Sequence, residues 1–545
     1  MRKPVRLNVV DRVIHFFNPS VTPRRIQARA AVSMAEGAGY VAFGSGRRSM
    51  RGAFATAKSA DKDTIPKIES LRASSRDMFM NSPVATAALK RARTNIVGIG
   101  LALQCRINRE FLGLTDEAAE EWEQKTEREF ELWASSKDCD ITRVQNFYDL
   151  QSLALLSTLM SGDCFVALPY KPRPNMPYDL RIRLIEADQV SNPFMQMDTD
   201  KIAGGVEVDS DGAPVKYYIS KQHPGGFSIV YEWVPVDVYS GITGRRQVYH
   251  LFDRERPGQR RGIPMLSPVI ESLKQITRLS ESELMASVVS SFFTAFIKSN
   301  AGSGDVLADG FASTEKISDA DARADDANVY EMGHGSIVGL NDGEDVVLAD
   351  PKRPSALFEP FFNAVVRQIG ASVEMPAELI MLHFTASYSA SRAALLEAWK
   401  FISMKRSWLE YEFCRPIYEE WLYEAILKKR IDAPGYISDP AAQAAWSGSA
   451  WTGQGQGQLD PVRETQAAIL RVKNNLSTYT AETAAIAGDD WQTMIHSRSR
   501  EEKILNEKGL NASAATATPT PQNTAEPAPP ADDTNSKTRD QEDAE

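Results

Sequence analysis

Apolar residues along this chain predict a mainly helical protein with one block of short strands. From about 66 to 135 they recur at intervals of three or four positions, as on one face of an α-helix. Between 163 and 255 the pattern changes to short β-type runs separated by turns such as Asp211-Gly212. These runs begin at Cys164, Arg181, Lys216 and Gln247. We therefore predict an α+β fold with a mainly antiparallel, half-buried sheet region.

The longest helical signal starts at Ser267-Pro268, a natural N-cap followed by a residue suited to the first helical turn. The apolar positions that follow lie mostly three or four apart. They are Val269, Leu273, Ile276, Leu284, Val288, Phe292 and Phe296. A helix that continues to Ser299 is on the order of 45 Å long at ~1.5 Å per residue. Because this exceeds the usual helix of a compact domain, we expect it to pack against copies of itself or a partner helix.

Two further long helices are predicted downstream. One runs from about Ser355 to Val373, and the other runs from about Ser391 to Arg430 with Pro416 expected to kink it. The apolar stripe of the first includes Phe358, Phe362 and Val366, and the inner face of the second is marked by Trp399, Ile402, Trp408 and Tyr411. A polar loop, His383-Phe-Thr-Ala-Ser-Tyr-Ser-Ala-Ser391, is predicted between the two helices.

Charge changes this picture because it is unevenly distributed. The formal net charge is -10 overall, yet residues 1–60 carry eleven Lys and Arg against two acids. Residues 299–350 carry twelve acids against two basic residues. We interpret residues 1–65 as a flexible basic arm and the acidic tail from 511 as disordered. Apart from the arm there is no basic domain, which disfavours a protein that grips nucleic acid tightly along a groove.

Sequence motifs for common chemistries are missing. The chain contains no G-x-x-x-x-G-K-[ST] phosphate loop and no G-x-S-x-G nucleophile elbow. Its six histidines are scattered and its four cysteines form no C-x-x-C pair, so we predict no metal site, no disulfide framework and no cofactor. It has no run of about 18 apolar residues. We therefore expect a soluble, intracellular assembly protein and not an enzyme.

Four sequence blocks, taken in order, resemble the lambda-type family of phage portal proteins. They are Arg72–Gly100, Tyr249–Pro264, Ser387–Trp399 and Trp451–Trp491. The second block contains Arg256-Pro-Gly-Gln-Arg-Arg-Gly-Ile-Pro264, which resembles the family's most recognisable segment and leads into a long helix. The similarity runs from about 66 to 510, which is most of the chain.

This resemblance implies a ring-forming protein, usually a dodecamer, at one vertex of a viral capsid. Such a ring has a wing, a stem, a clip and a crown around a tunnel through which double-stranded DNA is packaged and ejected. The domains expected on this chain are a flexible basic arm (1–65), a wing (66–265), a stem helix (266–298), an acidic clip (299–352), a second stem helix (353–382), a tunnel loop (383–392), a long channel-side helix with the crown and C-terminal wing helices (393–510), and a disordered acidic tail (511–545).

The resemblance also implies roles for single residues. The stem would pack through the apolar positions named above for the first two long helices. The tunnel loop would face DNA, without reading its sequence, through His383, Thr385, Ser387, Tyr388, Ser389, Ser391 and Arg392. The clip would bind partners through Asp319, Asp321, Asp325, Asp326, Glu331, Asp342, Glu344 and Asp345. Arg392 would contact phosphate or pair with an acid of a neighbouring subunit.

The expected partners are further copies of the chain, double-stranded DNA, a terminase motor, major capsid and scaffold proteins, and head-completion or tail-connector proteins. The expected location is the virion, after assembly in the host cytoplasm. Two alternatives stay open: a metal-dependent nuclease that uses the acids of 319–326, and a helical capsid scaffold factor without DNA contact. Because nuclease sites need carboxylates on rigid elements, and these acids lie in a predicted loop, a solvated loop is favoured.

Overall fold

The computed structural model describes residues 57–227, 232–292, 296–299, 344–347, 357–384, 387–457, 460–488 and 490–508. The chain divides into two compact units, Met1–Asp63 and Thr64–Glu545, and the second of these carries the features described below. Most of the predicted basic arm, most of the acidic clip and the acidic tail lie outside the described residues.

Helices account for most of the described chain, as the apolar spacing predicts. They are α1 (Ala60–Thr64), α2 (Ile68–Asn81), α3 (Pro83–Ile96), α4 (Arg109–Leu112), α5 (Asp116–Ala134), α6 (Phe147–Ser161), α7 (Ile270–Phe292), α8 (Phe358–Ser372), α9 (Ala377–Met381), α10 (Tyr388–Leu409), α11 (Arg415–Leu427), α12 (Pro440–Trp446), α13 (Pro461–Lys473), α14 (Tyr479–Ile486) and α15 (Trp491–Glu507). Side-chain caps fix several starts. Thr115 accepts a hydrogen bond from the Ala118 N–H (3.3 Å) and Asp460 accepts one from the Arg463 N–H (3.2 Å).

Strands form the antiparallel region that the short β-type runs predict. They are β1 (Ala102–Cys105), β2 (Asp163–Ala167), β3 (Arg183–Glu186), β4 (Ile202–Ala203), β5 (Val206–Val208), β6 (Pro214–Ser220), β7 (Trp233–Asp237), β8 (Val248–Phe252), β9 (Phe296–Ser299), β10 (Glu344–Val347) and β11 (Ser449–Thr452). One sheet has the order β3-β2-β8 and another the order β4-β5-β6-β7, with all neighbours antiparallel. The four predicted β-type runs are thus confirmed as β2, β3, β6 and β8.

An aromatic cluster around Phe130 joins distant parts of the chain. The Phe130 ring centroid lies 5.1 Å from that of Trp421, 5.5 Å from Phe147 and 5.9 Å from Trp451, each in an edge-to-face arrangement. Such pairs contribute ~0.5–1.5 kcal/mol each beyond the burial of area. The cluster therefore holds α11 and β11 from the C-terminal part of the chain against α5 and α6.

The predicted first long helix is shorter than expected. The segment Ser267–Val269 is a 3₁₀ turn whose N-cap is Leu266, so the prediction of Ser267 as N-cap is wrong. Helix α7 spans 23 residues, about 35 Å at ~1.5 Å per residue, and the expected continuation to Ser299 is also wrong. Residues 296–299 form β9, which pairs with β10. An antiparallel ladder with a segment about fifty residues downstream thus replaces the helical hydrogen bonds that local spacing predicts.

The third predicted helix is interrupted by a π-helical turn, Glu410–Cys414, between α10 and α11. Pro416 lies in the first turn of α11, where its missing N–H is tolerated, and the wide π turn precedes it at the predicted kink. Ile402 is buried and Trp408 is half-buried, as predicted. Tyr411 is exposed, so its placement on the inner face is wrong. The extra residue in the π turn changes the helical register at that position.

Two glycines meet where α6 ends and β2 begins. A methyl group built on Gly262 would lie 1.9 Å from the carbonyl oxygen of Gly162.

We expect Gly262→Ala to destabilise the protein by ~3 kcal/mol, because the backbone must move to make room for the added methyl group. Urea denaturation measures this, with Gly241→Ala as the matched control. A methyl group on Gly241 meets no atom within 4 Å, so that variant should stay within about 0.5 kcal/mol of the parent. Equal losses in both variants would refute the close-approach explanation.

Candidate functional site

Among the described residues, helix α7 is buried along one side of its first half and mostly exposed over its second half. Its first half packs against α2 and α8, and Leu273 and Ile276 are buried there together with the preceding Val269. Further along the same apolar stripe, Leu284 is 67% exposed, and its neighbour Met285 is 65% exposed. Val288 is exposed as well, while the side chains of Phe292 and Phe296 lie outside the described residues. In the part of the chain that the structure describes, the predicted packing positions therefore divide into a buried set and an exposed set.

Helix α8 is divided in the same way, but its exposed apolar residues lie at its N-terminal end. Val366 and Ile369 are buried, whereas Phe358 and Phe362 are half-buried, with their ring centroids 5.9 Å apart. Phe361, at the start of the helix, is exposed. The start of α8 and the end of α7 both adjoin the segment that includes the β9–β10 ladder. Both helices thus expose apolar side chains at the ends that adjoin this ladder in sequence.

The polar segment 383–392 is only partly a loop. His383 and Ser387 are exposed and precede the helix, and Thr385 lies outside the described residues. Helix α10 starts at Tyr388, whose side chain is not described, so Ser389, Ser391 and Arg392 lie in its first turns. The prediction of a loop up to 392 is wrong for these positions because Ser387 serves as N-cap and Ala-rich sequence follows it.

Arg392 has an acidic partner within its own chain. Its guanidinium forms an ion pair with Glu464 of α13, the helix opened by Asp460-Pro461. Both side chains are partly buried. The family resemblance implies that Arg392 contacts phosphate or an acid of a neighbouring subunit, whereas the observed pair lies within one chain. The clip residues Asp319 to Asp342 lie outside the described residues, and Glu344 and Asp345 lie in β10.

A buried cluster of charges, which the sequence analysis did not predict, joins the sheet to the segment that leads into α7. Asp163, the first residue of β2, is surrounded by Arg72 of α2, Arg261 and His250 of β8, and all four are buried. Asp163 Oδ2 lies 2.6 Å from Arg261 Nε and 3.2 Å from His250 Nε2. Asp163 Oδ1 lies 2.9 Å from Arg72 Nη2. We call these four residues the Asp163 cluster.

The charge states of the Asp163 cluster follow from its geometry. Burial alone would raise the pKa of Asp163, but Arg261 and Arg72 hold this pKa well below its usual range. Burial lowers the pKa of His250 to about 4, although its hydrogen bond to Asp163 acts in the opposite direction. Burial likewise lowers the pKa of Arg72 to about 10. Near neutral pH the cluster thus contains one carboxylate, two guanidiniums and a neutral imidazole.

Backbone carbonyls satisfy further hydrogen-bond donors of both arginines. Arg261 donates to the carbonyl oxygens of Ala187 and Val190, each at 2.7 Å, and Arg72 donates to that of Ser161 at 3.0 Å. Such bonds make a buried ion pair tolerable. A sequence signal was available: Asp163 is an acid at the start of the apolar strand Cys-Phe-Val-Ala, and a buried carboxylate requires a cation.

Glu186, Asp188 and His223 are the described residues that come closest to a metal site. Their ligand atoms lie within 4.8 Å of one another. Arg76, however, forms ion pairs with both carboxylates. The Nδ1 atom of His223 accepts a hydrogen bond from the Gly225 N–H (2.9 Å), so Nε2 carries the hydrogen and faces Glu186. The arrangement therefore fits an ion-pair network.

Among the described helices, none has the length and apolar character needed to span a membrane.

Comparisons with known proteins identify relatives. The model of the family described as phage portal protein, lambda family, matches residues 46–406. The chain is 25% identical over 497 residues to portal protein B of Escherichia phage lambda, with 88% of this chain and 92% of that protein covered. It is 24% identical over 507 residues to the portal protein of Escherichia phage N15, with 90% and 95% covered. Among solved structures, a chain from the neck of an empty GTA particle aligns over 76% of this chain and 92% of its own length, with a TM-score of 0.41 and 15% identity.

The Asp163 cluster generates a stability prediction. Asp163→Asn removes the anion, which takes from the buried Arg261 its partner Asp163 and leaves Arg72 only the more distant carboxylate of Asp188 (3.4 Å). We therefore expect the free energy of unfolding to fall by ~3–5 kcal/mol. Urea denaturation measures the loss. The control is Glu232→Gln, which removes an acid paired with Lys221 where both side chains are more than half exposed, and it should cost at most about 1 kcal/mol. A loss no larger than that of the control would contradict the role of Asp163.

His250 generates a pH prediction. Its pKa falls from 6.5 to about 4 in the folded protein, so the unfolded chain binds a proton first as the pH decreases. Stability should therefore fall between pH 6.5 and about 4, by up to ~1.4 kcal/mol per pH unit. Glu127 acts in the opposite direction in this window, because burial raises its pKa to about 7. The difference between the parent and His250→Gln, measured by urea denaturation at several pH values, isolates the histidine. Parallel curves for the two proteins would rule this contribution out.

Proposed function

The chain belongs to the lambda family of phage portal proteins, and from this premise we propose that its copies form the ring at one capsid vertex through which double-stranded DNA is packaged and ejected. The family is one of structural proteins, and we assign no reaction to the chain. The observation that supports the ring is the apolar stripe of α7, which is buried at Leu273 and Ile276 and exposed at Leu284 among the described residues.

Uncovered apolar side chains at helical spacing call for a partner surface. Burying a leucine side chain stabilises a contact by ~1.5–3 kcal/mol. Because every copy exposes the same stripe on α7 and α8, a cyclic assembly covers all stripes at once. We therefore assign α7 and α8 to the stem, within the limits 266–298 and 353–382. The copy number that we propose for the ring is twelve, the dodecamer implied by the family resemblance.

The remaining domains of the proposal follow the chain order. We assign 66–265 to the wing, 299–352 to an acidic clip, 383–392 to a segment that faces the tunnel, and 393–510 to the channel-side helix, the crown and the C-terminal wing helices. The proposed partners of the clip and wing are the terminase motor, capsid and scaffold proteins, and head-completion or tail-connector proteins. The proposed location is the virion vertex after assembly in the host cytoplasm.

The proposed tunnel segment presents hydroxyl groups to DNA, and its cation Arg392 is already paired with an acid. Ser387 and Ser389 are exposed, and hydroxyl groups can contact phosphate without reading bases. Arg392 is paired with Glu464, which lowers its attraction for phosphate. The twelve acids of residues 299–350 would add a repulsion that salt screens within a Debye length of ~8 Å. These features favour the passage of DNA over its retention.

The stem assignment predicts the effect of one charge. Leu284→Asp places a carboxylate in the proposed contact between copies, so the association constant for each contact should fall by about 10- to 100-fold, which corresponds to ~1.5–3 kcal/mol. Negative-stain images and sedimentation of the purified chain measure ring formation. The control is Ser282→Asp, which adds the same charge at an exposed polar position two residues earlier on α7.

Both the parent and the control should form annular particles with a central hole, and Leu284→Asp should shift toward single subunits at the same concentration. Particles without an open channel would favour the helical scaffold factor instead. Metal-dependent cleavage of DNA by the parent, lost in Asp325→Asn, would favour the nuclease. A parent chain that stays a single subunit at every concentration would refute the proposed ring.

A further inference from the structure

A short loop beside the four-stranded sheet projects three large apolar side chains. Phe194 is 78% exposed, Met195 is 77% exposed and Met197 is 90% exposed. Phe194 and Met195 both have φ of 54°, in the left-handed region that residues with a Cβ rarely adopt. We call residues 193–198 the apolar loop. Among the described residues, these side chains remain mostly open to solvent, and the Phe194 ring contacts that of Trp233 with centroids 5.6 Å apart.

Hydrogen bonds hold the apolar loop in this form. The Asn192 amide donates to the Gln196 carbonyl oxygen (3.0 Å) and to Asp198 Oδ1 (2.9 Å). The Gly205 N–H donates to Asn192 Oδ1 at 2.7 Å, and the Gly204 N–H donates to Asp198 Oδ1 at 2.9 Å. A protrusion that is already ordered loses little conformational freedom when it is bound. Buried aromatic and methionine anchors of this kind are enriched at protein interfaces.

A cavity of about 820 Å³ opens on the other face of the same sheet. Val234 and Val236 of β7 line it, together with Ile219 of β6 and Leu427 of α11. Side chains alternate between the two faces of a strand, so Val234 and Val236 point away from the face on which Trp233 contacts Phe194. The cavity falls within the ~300–1,000 Å³ of sites that bury a drug-sized molecule, which is room for two large side chains.

We propose that the apolar loop of one copy inserts Phe194 and Met195 into this cavity of the next copy around the ring. The inference deepens the proposed function and rests on it. The loop and the cavity lie on opposite faces of one sheet, so they cannot meet within a chain. A contact between two different surfaces, repeated from copy to copy, is the head-to-tail kind from which a ring is built.

Charge complementarity supports a second copy as the occupant. Asp200 follows the apolar loop and is exposed, while the neighbouring Lys201 is paired with Glu207. Arg183 lines the cavity and is exposed, and among the described residues no acid forms an ion pair with it. An exposed acid beside the apolar loop can therefore meet the guanidinium at the edge of the cavity, which pairs with no acid among the described residues. Rim charges of opposite sign fix the register of such a contact.

Photocrosslinking of the assembled full-length chain tests this contact. Phe194 is replaced by p-benzoylphenylalanine, rings are formed from a mixture of ¹⁵N-labelled and unlabelled chains, and the sample is irradiated. We expect covalent multimers in which position 194 is linked to peptides containing 167–170, 234–236 or 423–427 of a differently labelled chain. The control replaces Leu132, an equally apolar and exposed residue of α5, and should give no link to these peptides.

The outcomes separate this inference from the function on which it rests. Rings that form normally while position 194 links elsewhere, or not at all, overturn the loop-and-cavity contact and leave the proposed ring intact. A parent chain that forms no rings overturns both. As a second variant, Val236→Trp fills the cavity without touching the loop, and it should abolish the links from position 194 to these peptides. Links to them that persist in this variant would also refute the proposal.

Discussion

The joint between the sheet and α7 depends on the negative charge of Asp163. Removing an ion from water costs several kcal/mol even after the protein relaxes, and here two guanidiniums and one carboxylate are buried together. The arrangement is tolerable because Asp163 contacts both arginines and backbone carbonyls accept their other hydrogens. Since Asp163 starts β2 and Arg261 lies just before the 3₁₀ turn that leads into α7, this one interaction sets where the long helix leaves the sheet.

The buried first half of α7 fixes the orientation of the exposed apolar residues in its second half. Leu273 and Ile276 hold the first half of the helix, so Leu284 and Met285 are presented at a constant angle to the sheet. A cyclic assembly closes only if every copy meets the next at the same rotation. An ion-pair cluster that resists rearrangement therefore contributes to closure although it lies outside the proposed contact between copies. In the same way, the ordered hydrogen bonds of Asn192 fix the apolar loop relative to the sheet.

The sequence predicted those features that depend on neighbours along the chain. Short runs of β-type residues between turns located β2 and β8, and the spacing of apolar residues located α7 and α8, because these patterns reflect local burial. The end of α7 was missed because Phe292 and Phe296 continue the helical spacing, whereas the pairing of β9 with β10 is non-local. The partner of Arg392 lies 72 residues away and that of Arg72 lies 91 residues away, so no local rule could find them. Tyr411 was misplaced for a local reason: it lies in the π turn Glu410–Cys414, whose extra residue the regular helical spacing does not predict.

Charge has two different physical uses in this chain. In the Asp163 cluster, opposite charges are buried in contact, where low dielectric makes their geometry specific. In the segment assigned to the tunnel, the cation of Arg392 is cancelled by Glu464 near solvent. Attraction between phosphates and unpaired cations supplies most non-specific binding to DNA, and a conduit with many such cations would hold the DNA it has to release. Pairing Arg392 within the chain keeps its structural contribution to α10 and α13 while removing that grip, which is consistent with a proposed tunnel that guides DNA by shape and hydroxyl contacts.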